Sequence, residues 1–442
     1  MMDKKNKFTA ALILSAGLLC FGARDSAGAF LQENPHSTLE GDQITPALAY
    51  DRQGRFITAW ISIPQDDGLP GVYARLFHQN GHPFSPEFKV NTYWNPVEHP
   101  AVAACPSGFV VVWTSFWTES STSGAVAARK YDPWGNPAGD EFQVNEHTWG
   151  FQGNPAADMD TQGRFIIAWQ SWEQDGDGYG VYAKIFNSKG EPESLEFQVN
   201  NTTMGNQDQP AVAAAGDGSF IITWRSSLGE TGHGIFAQRF DRRGNRLGPE
   251  FQVNFTSLGT AENPDIDIDS YGNFYITWHH NRLDENGYDV YVRIFDPTGT
   301  LKSQEIRVNT STAGMQAFPS LACTSEGHFL VSWLNRPGQE LSQIMGRTFD
   351  RYGQPLSDEY IISGSRNRIR ENPAAAVISF NDMIFIWQEY EPLDTGWNLF
   401  QKIMSPPSLT FQKNGGTRRE KTNATKNPLR DMADRFFIFP GR

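Results

Sequence analysis

Short apolar runs alternate with turn-forming residues from about residue 46 to residue 404. One run in every repeat ends on a tryptophan, and consecutive tryptophans lie 53 to 56 residues apart. A proline stands 13 or 14 residues before each of them. These tryptophans are Trp60, Trp113, Trp169, Trp224, Trp278, Trp333 and Trp387. A period near 50 residues with strand-like content predicts a propeller or another repeat array.

Each repeat contains four strand-like runs separated by turn signals. In repeat three these runs lie within residues 154–159, 164–169, 180–186 and 196–200. Four short strands repeated around an axis are typical of β-propeller blades. The sequence therefore predicts an all-β fold, a seven-bladed β-propeller with four antiparallel strands per blade, over residues 30–404. The blades start near residues 46, 100, 155, 210, 264, 319 and 373.

The second run of each repeat is apolar on both of its faces. In repeat three Phe165, Ile167 and Trp169 share one face, and the residues between them are also apolar. A strand that is buried on both faces lies between packed sheets. We therefore expect the seven tryptophans to form the core between blades, although a row of ligand-stacking rings is the alternative.

Two recurring polar features are expected to be structural. An aspartate three residues before a glycine, as in Asp51 and Gly54, predicts a turn held by the aspartate side chain rather than a metal site. A basic residue in the third run and a glutamate opening the fourth recur together, as in Arg129 and Glu141. We expect such charges to pair across the two strands.

The last repeat has no fourth run, because Met404-Ser-Pro-Pro407 replaces it. The segment Phe30-Leu-Gln-Glu-Asn34 resembles the Glu-Phe-Gln-Val-Asn run that is missing. We therefore expect the N-terminal strand to complete the last blade and to cover both sheet edges. The segment from Leu409 to Gln412 is the alternative.

Residues 1–29 have the composition of a secretory signal peptide. A lysine-rich start precedes an apolar run from Phe8 to Ala23, and Ala27-Gly28-Ala29 has the form of a cleavage site. Cys20 raises a lipoprotein alternative, and a retained anchor is another. The apolar run is short for a membrane span. We expect an exported monomer, periplasmic or extracellular, with no membrane span after cleavage.

The two ends of the chain differ in charge from the body. The whole chain carries a net charge of −13, whereas residues 405–442 carry +5 and residues 30–404 carry −20. An acidic body is not a nucleic-acid-binding surface. Residues 405–442 have little periodicity, which predicts a mostly disordered tail; docking of this tail on the acidic body or on a partner is the alternative.

The loops that differ between repeats are the candidate ligand site. In a four-stranded blade the loops after strands two and four emerge on one face, and here they carry aromatic residues beside carboxylates such as Glu173 and Glu389. Rings can stack on sugar faces while carboxylates accept hydroxyl hydrogen bonds; capping of the blade core is the alternative use of the rings. The ligand-binding candidates are Trp94, Trp117, Trp149, Trp172, Tyr179, His279, Tyr288, Tyr390 and Trp397.

These candidates favour an exported propeller that binds a glycan or a cell-envelope or extracellular protein. A polysaccharide hydrolase or lyase that uses carboxylates on the same face is one alternative, and a structural assembly platform is another. The sequence has no Gly-x-Ser-x-Gly, phosphate-binding glycine loop or His-Glu-x-x-His motif. Asp175 and Asp177 form a weak calcium candidate, since the distal glutamate of an EF-hand loop is missing; no other cofactor is expected.

The repeat motifs resemble those of a known group of proteins. Gly-x-Phe-Ile-Ile-x-Trp, Gly-Val-Tyr-Ala-x-x-Phe and Glu-Phe-Gln-Val-Asn look like the tandem repeats of large secreted bacterial proteins, often found beside adhesin-type or calcium-binding modules. The resemblance covers residues 46–404 and implies export and β-propeller blades. It implies no activity and no catalytic residues, and this chain has seven repeats without attached modules.

Overall fold

A computed structural model describes the part of the chain that carries the repeats. The described residues are 34–37, 41–63, 70–93, 95–116, 124–227, 229, 232–255, 259–281, 287–338, 341–364, 368–379, 382–391 and 396–407. They contain 27 β-strands and no α-helix, so none of them forms a helix long and apolar enough to span a membrane. All of them belong to one compact unit that ends at Leu409.

The strands, numbered in chain order, recur in a cycle of four. First strands are β1 (Asp42–Tyr50), β5 (Val97–Cys105), β9 (Gln152–Met159), β13 (Gln207–Ala214), β17 (Gly259–Ile268), β21 (Met315–Cys323) and β25 (Arg370–Ser379). Second strands are β2 (Arg55–Ile63), β6 (Gly108–Phe116), β10 (Phe165–Trp172), β14 (Phe220–Ser227), β18 (Phe274–Asn281), β22 (Phe329–Arg336) and β26 (Asp382–Glu391). Third strands are β3 (Gly71–His78), β7 (Gly124–Tyr131), β11 (Tyr179–Phe186), β15 (Gly232–Phe240), β19 (Tyr288–Phe295), β23 (Gln343–Phe349) and β27 (Gly396–Met404). Short fourth strands are β4 (Phe88–Lys89), β8 (Phe142–Gln143), β12 (Phe197–Gln198), β16 (Phe251–Gln252), β20 (Ile306–Arg307) and β24 (Tyr360–Ile361).

Consecutive strands within each cycle pair antiparallel. We call the cycles groups one to seven: β1–β4, β5–β8, β9–β12, β13–β16, β17–β20, β21–β24 and β25–β27. The all-β class and the four-stranded antiparallel unit are therefore confirmed, in a propeller-type fold. The first strands contact one another in chain order, and β1 contacts both β5 and β25.

Groups four, five and six share hydrogen bonds and form one 12-stranded sheet, rather than the separate sheets that the sequence predicts. Gly232 pairs in parallel with Gly259, and Tyr288 pairs in parallel with Met315. Glycines permit this close approach, because a Cβ atom on Gly232 would lie 2.1 Å from the Gly259 carbonyl oxygen. The joins are only one or two residues long.

The seven tryptophans lie in the core, as predicted. Each sits in a second strand with at most 1% of its surface exposed. Apolar side chains of one group pack on those of the next, as when Ile57, Ala74 and Val90 of group one share a single core cluster with Trp113 of group two. Burying a tryptophan contributes on the order of 5 kcal/mol, since about 200 Å² is removed from water at about 25 cal/mol per Å².

The recurring turn aspartates hold their turns, as predicted, and the recurring charges bond to the backbone of a neighbouring segment. Asp51 Oδ1 accepts from the Arg55 backbone N–H at 3.0 Å. Arg129 Nη1 donates to the Val90 carbonyl at 3.0 Å, and Glu141 Oε2 accepts from the Thr92 N–H at 2.5 Å. Both partners belong to the segment that follows β4, so these charges join one group to the preceding one.

Residues 34–37 make the same set of bonds beside group seven. Arg75 Nη1 donates to the Pro35 carbonyl at 3.0 Å, and the Ser37 N–H donates to Glu87 at 2.8 Å. The Leu399 N–H donates to His36 Nε2 at 3.4 Å, as the Val72 N–H donates to Asn91 Oδ1 at 2.8 Å.

Pro35, His36 and Ser37 thus stand where Val90, Asn91 and Thr92 stand after β4. These three residues directly follow Phe30–Asn34, the segment that resembles the missing run. An imidazole nitrogen can accept the backbone N–H that an asparagine oxygen accepts elsewhere. Residues 30–33 and Leu409–Gln412 lie outside the described ranges.

Candidate functional site

An inner cavity of about 670 Å³ is lined by the first strands of all seven groups. In every group the residue before the repeat proline faces it and has a positive φ, between 49° and 52°. These residues are Thr45, His99, Asn154, Gln209, Asn263, Phe318 and Asn372. A non-glycine residue held at positive φ carries about 1–3 kcal/mol of backbone strain. The backbone dihedral angles of a residue before a proline are restricted further.

A β-bulge accompanies each of these residues, and the neighbouring group supplies a hydrogen-bond acceptor. The Thr45 N–H donates to Gln388 Oε1 at 2.8 Å, and the Asn263 N–H donates to Gln209 Oε1 at 2.8 Å. The Asn154 N–H donates to Thr114 Oγ1 at 3.0 Å. The backbone conformation is common to all groups and therefore belongs to the scaffold, whereas the side chains it presents to the cavity differ.

Group three presents an aromatic shelf near this cavity, formed by Trp149, Trp172 and Tyr179. Trp149 is 64% exposed and Trp172 is 37% exposed. The rings of Trp172 and Tyr179 meet edge to face at 4.8 Å between centroids. Gly150, with φ of 76°, lets the loop pass close to Trp172, since a Cβ atom there would lie 2.8 Å from the Trp172 carbonyl oxygen. Core packing does not require two rings this exposed.

A charged cluster of Asp208, Arg225, Glu262 and His279 adjoins the shelf. Arg225 binds both oxygens of Asp208, at 2.7 and 2.6 Å, and one oxygen of Glu262, at 2.5 Å. His279 Nε2 lies 3.7 Å from Glu262 Oε2. Burial and the negative charge of Asp208 raise the pKa of Tyr179, which places Asp208 beside the shelf.

Glu262 is the most strongly perturbed acid of this cluster. The His279 imidazole and then the Arg225 guanidinium lower the pKa of Glu262 to about 2. The Phe318 N–H donates to His279 Nδ1 at 3.3 Å, so a neutral imidazole carries its proton on Nε2, toward Glu262. His233 lies beside these charged groups, and its buried Nδ1 has no hydrogen-bond partner among the described residues. The ion pairs of Arg225 therefore hold the cluster in a fixed arrangement, with one unsatisfied imidazole nitrogen next to it.

Carboxyl groups of the first strands form a second feature of the cavity region. Asp265 Oδ2 accepts from the Leu321 N–H, and Asp158 Oδ2 accepts from the Ala214 N–H, both at 2.7 Å. Burial, opposed in part by these bonds, raises the pKa of each to about 6, and the charge of Asp267 adds to the rise. Burial also raises the pKa of Asp267, and Arg52 opposes this.

These carboxyls predict a pH-dependent stability. Between pH 4 and pH 6 the folded chain binds protons at Asp158 that the unfolded chain, with a pKa of 3.8, has released. Stability therefore falls as the pH rises through this window, by roughly 2–3 kcal/mol per carboxyl, because the folded pKa lies about two units above 3.8 and one pKa unit corresponds to about 1.4 kcal/mol. We expect Asp158→Asn, which keeps the acceptor for Ala214, to flatten the change in urea midpoint between pH 4.5 and pH 7.

The control for this prediction is Asp241→Asn. The pKa of Asp241 is lowered by its hydrogen bond to the Asn245 side chain, so it is largely ionised in both states above pH 4.5. The slope of the urea midpoint between pH 4.5 and pH 7 should therefore match the wild type. An unchanged slope in Asp158→Asn would contradict the assignment.

The structure places the nine predicted ligand-binding residues in three sets. Trp149, Trp172 and Tyr179 form the shelf, and Tyr390 meets Trp397 at 5.6 Å between ring centroids in group seven. His279 contacts Tyr288 at 5.1 Å in group five, but it is buried instead of exposed because it bonds with Phe318 and faces Glu262. Trp94 and Trp117 lie outside the described ranges.

The calcium candidates have other partners. Asp175 Oδ2 accepts from Gln198 Nε2 at 3.2 Å and from Asn200 Nδ2 at 3.3 Å. Asp177 Oδ2 accepts from the Gly205 N–H at 2.9 Å. Within the described ranges no three His, Cys, Asp or Glu side chains are grouped so that they could hold a metal ion.

The sequence prediction of the site did not include Asp208, Arg225, Glu262 and Asp265. These residues lie inside strands, beside the constant proline and tryptophan, whereas the predicted site residues came from the loops that differ between repeats. Comparing the residue after each tryptophan would have singled out Arg225 and His279, since Ile61 and Leu334 stand at the same position elsewhere.

Comparisons with known proteins support the fold alone. No family model and no curated protein matches the chain. A protein of unknown function from Dyadobacter fermentans aligns over 85% of this chain and 98% of its own, with 9% identity and a TM-score of 0.52. The GH93 α-L-arabinofuranosidase of Fusarium graminearum (9% identity, 68% of this chain and 91% of its own, TM-score 0.47) is more distant. So is the GH43 endo-arabinanase of Bacillus licheniformis (12% identity, 59% and 96%, TM-score 0.35).

Proposed function

We propose that this chain is an exported glycan-binding protein whose ligand lies on the aromatic shelf and reaches the charged cluster. The observation that carries the proposal is the exposure of Trp149 and Trp172 on a shelf whose Tyr179 adjoins the ion pairs of Asp208, Arg225 and Glu262. A sugar ring has an apolar face for a tryptophan and hydroxyl groups for carboxylates and a guanidinium. Export rests on the composition of residues 1–29 and on the repeat resemblance.

We further propose that the seven groups form a closed ring of seven blades around the inner cavity. Contacts of β1 with β25, and the hydrogen bond from the Trp397 N–H to Asp42 at 2.8 Å, support closure. The segment with Pro35 and His36 takes the fourth-strand position of blade seven. The shelf then lies on the ring face where the inner cavity opens.

The binding proposal predicts a selective effect of shelf variants. On a glycan array, and then by calorimetry with the best glycan, Trp149→Ala and Trp172→Ala should each weaken binding about tenfold or more, equivalent to about 1.4 kcal/mol. Trp134→Ala is the matched control, because Trp134 is also 64% exposed but lies in the turn after β7, away from the shelf. Absence of glycan binding, or equal loss in the Trp134 variant, would overturn the proposal.

Polysaccharide hydrolysis is the second candidate, favoured by one observation. Glu262 and Asp265 flank a single bulge of β17, and their pKa values are driven apart, to about 2 and about 6. Such separation is what an ionised carboxylate and a general acid require. Release of reducing ends from polysaccharides that is lost in both Glu262→Gln and Asp265→Asn would establish it. Glycan binding without any release would leave binding as the function.

A further inference from the structure

A second cavity lies at the opposite ends of the strands, between groups four and five. The turn 215–219 before β14, the turn 268–272 before β18 and the end of β15 form it. Its volume is about 340 Å³, within the range of about 300–1,000 Å³ that is usual for small-ligand pockets. The shelf and the charged cluster take no part in it.

The repeat itself shows why this cavity is open. In groups one and three an arginine follows the turn glycine and crosses to the next group: Arg55 Nη1 donates to the Pro133 carbonyl at 3.0 Å, and Arg164 donates to the carbonyls of Gly218 and Arg242. In group four Ser219 stands at this position. The corresponding crevice beside Arg55 measures only about 10 Å³.

Group four does not need an arginine at this position for backbone hydrogen bonding, because another residue donates to the corresponding carbonyl. The Pro297 carbonyl corresponds to that of Pro133, and it accepts from Arg239 Nη1 at 2.8 Å. Arg239 Nη2 donates to the Leu247 carbonyl at 2.8 Å. A guanidinium has five N–H groups, so Arg239 retains donors beyond these two bonds.

The cavity combines an apolar floor with a ring at its rim. Phe220, Phe240 and Ile268 are buried beneath it. Tyr271 is 60% exposed, and the Arg351 guanidinium lies over its ring at 4.8 Å from the centroid. A ring held in this way offers a preorganised stacking surface.

Charges of both signs line the cavity, and the third charged residue, Asp269, is bonded to Asn273 and Tyr275. Arg239 supplies donors, and Asp217 supplies a carboxylate whose Oδ1 accepts from the Ser219 N–H at 2.9 Å. A charged ligand would meet both attractive and repulsive groups, whereas a neutral ligand with several hydroxyls can use both. We propose that this cavity is a second ligand site, which binds one or two rings of a neutral sugar.

The test restores the arginine of the other repeats. With the full chain, saturation-transfer NMR and calorimetry are run with glucose, galactose, mannose, xylose, arabinose and cellobiose. Ser219→Arg should fill the crevice as Arg55 does, keep the melting temperature and weaken binding at least tenfold. Tyr271→Ala should also weaken it. Trp134→Ala is the matched control, because Trp134 is 64% exposed at the same position of a similar turn in group two.

The outcomes separate this site from the shelf. Binding that Ser219→Arg weakens supports the inference whatever Trp172→Ala does. Binding that is lost in Trp172→Ala and unchanged in Ser219→Arg overturns the second site while the shelf proposal stands. Absence of binding by all six sugars, or equal loss in Trp134→Ala, also overturns the second site. The glycan array tests the shelf independently, since it presents longer glycans.

Discussion

Replacement of Glu389 by alanine is expected to destabilise the fold by about 3–5 kcal/mol, the usual loss when one partner of a buried ion pair is removed. Glu389 is 2% exposed and accepts from Arg370 Nε at 2.7 Å and from Arg368 Nε at 3.0 Å. Arg370 is 1% exposed, so alanine would leave its guanidinium buried beside apolar strands. The free energy of unfolding, from urea denaturation, measures the effect.

The other repeats explain why this pair exists. In groups one, three and six the tryptophan Nε1–H donates to a glutamine, as Trp60 does to Gln43 at 2.9 Å. Arg370 stands at the position of Gln43, and an arginine cannot accept a hydrogen bond. Glu389 therefore accepts from Trp387 Nε1, at 3.3 Å, as well as from the arginines.

Two controls distinguish this effect from a general loss of charge. Glu371→Ala removes a neighbouring carboxylate that pairs with Arg336 at 3.0 Å but is 36% exposed, and an exposed pair contributes only about 0–1 kcal/mol. The double variant Arg370→Gln with Glu389→Ser recreates the Gln43–Ser62 pairing of group one. It should recover most of the lost stability. A loss for Glu389→Ala no larger than for Glu371→Ala would contradict the buried pair.

Glu389 also shows how far the sequence alone could lead. The tryptophan spacing and the four strand-like runs of each repeat were sufficient to predict four-stranded antiparallel units and a core between them, because a repeated pattern is averaged over seven copies. The loop carboxylate Glu389 was interpreted as part of a ligand-binding face. Its burial depends on Arg370, which lies 19 residues earlier in the chain, and only the pairing of β25 with β26 brings the two together.

The candidate site was predicted in part for the same reason. Exposed rings such as Trp149 and Trp172 stand out because the repeat does not need them. The charged cluster does not stand out, since Asp208 and Glu262 belong to different repeats and meet at Arg225 only through the packing of neighbouring groups. No sequence motif marks the cavity at Ser219, because the cavity arises from the absence of an arginine that two other repeats have. The informative sequence feature was a difference between repeats at a position that is otherwise constant.

Removal of the segment with Pro35 and His36 is the second large effect we expect. A chain that starts at residue 41 should be less stable than one that starts at residue 30 by about 3 kcal/mol, since the three hydrogen bonds of this segment are worth about 1 kcal/mol each. Pro35 and His36 are also buried, so their loss uncovers β27. An uncovered strand edge pairs readily with other chains. Urea denaturation measures the first effect, and light scattering detects the association.

Point variants at His36 test whether this segment takes the fourth-strand position. His36→Asn places there the residue that Asn91 provides after β4, and it should retain wild-type stability because asparagine can accept the Leu399 N–H. His36→Ala leaves this N–H without its acceptor and should lose about 1–3 kcal/mol. A chain that ends at Pro407 keeps this segment and should be as stable as the full chain. If ending the chain there were as costly as starting it at residue 41, the C-terminal segment would share in closing the ring.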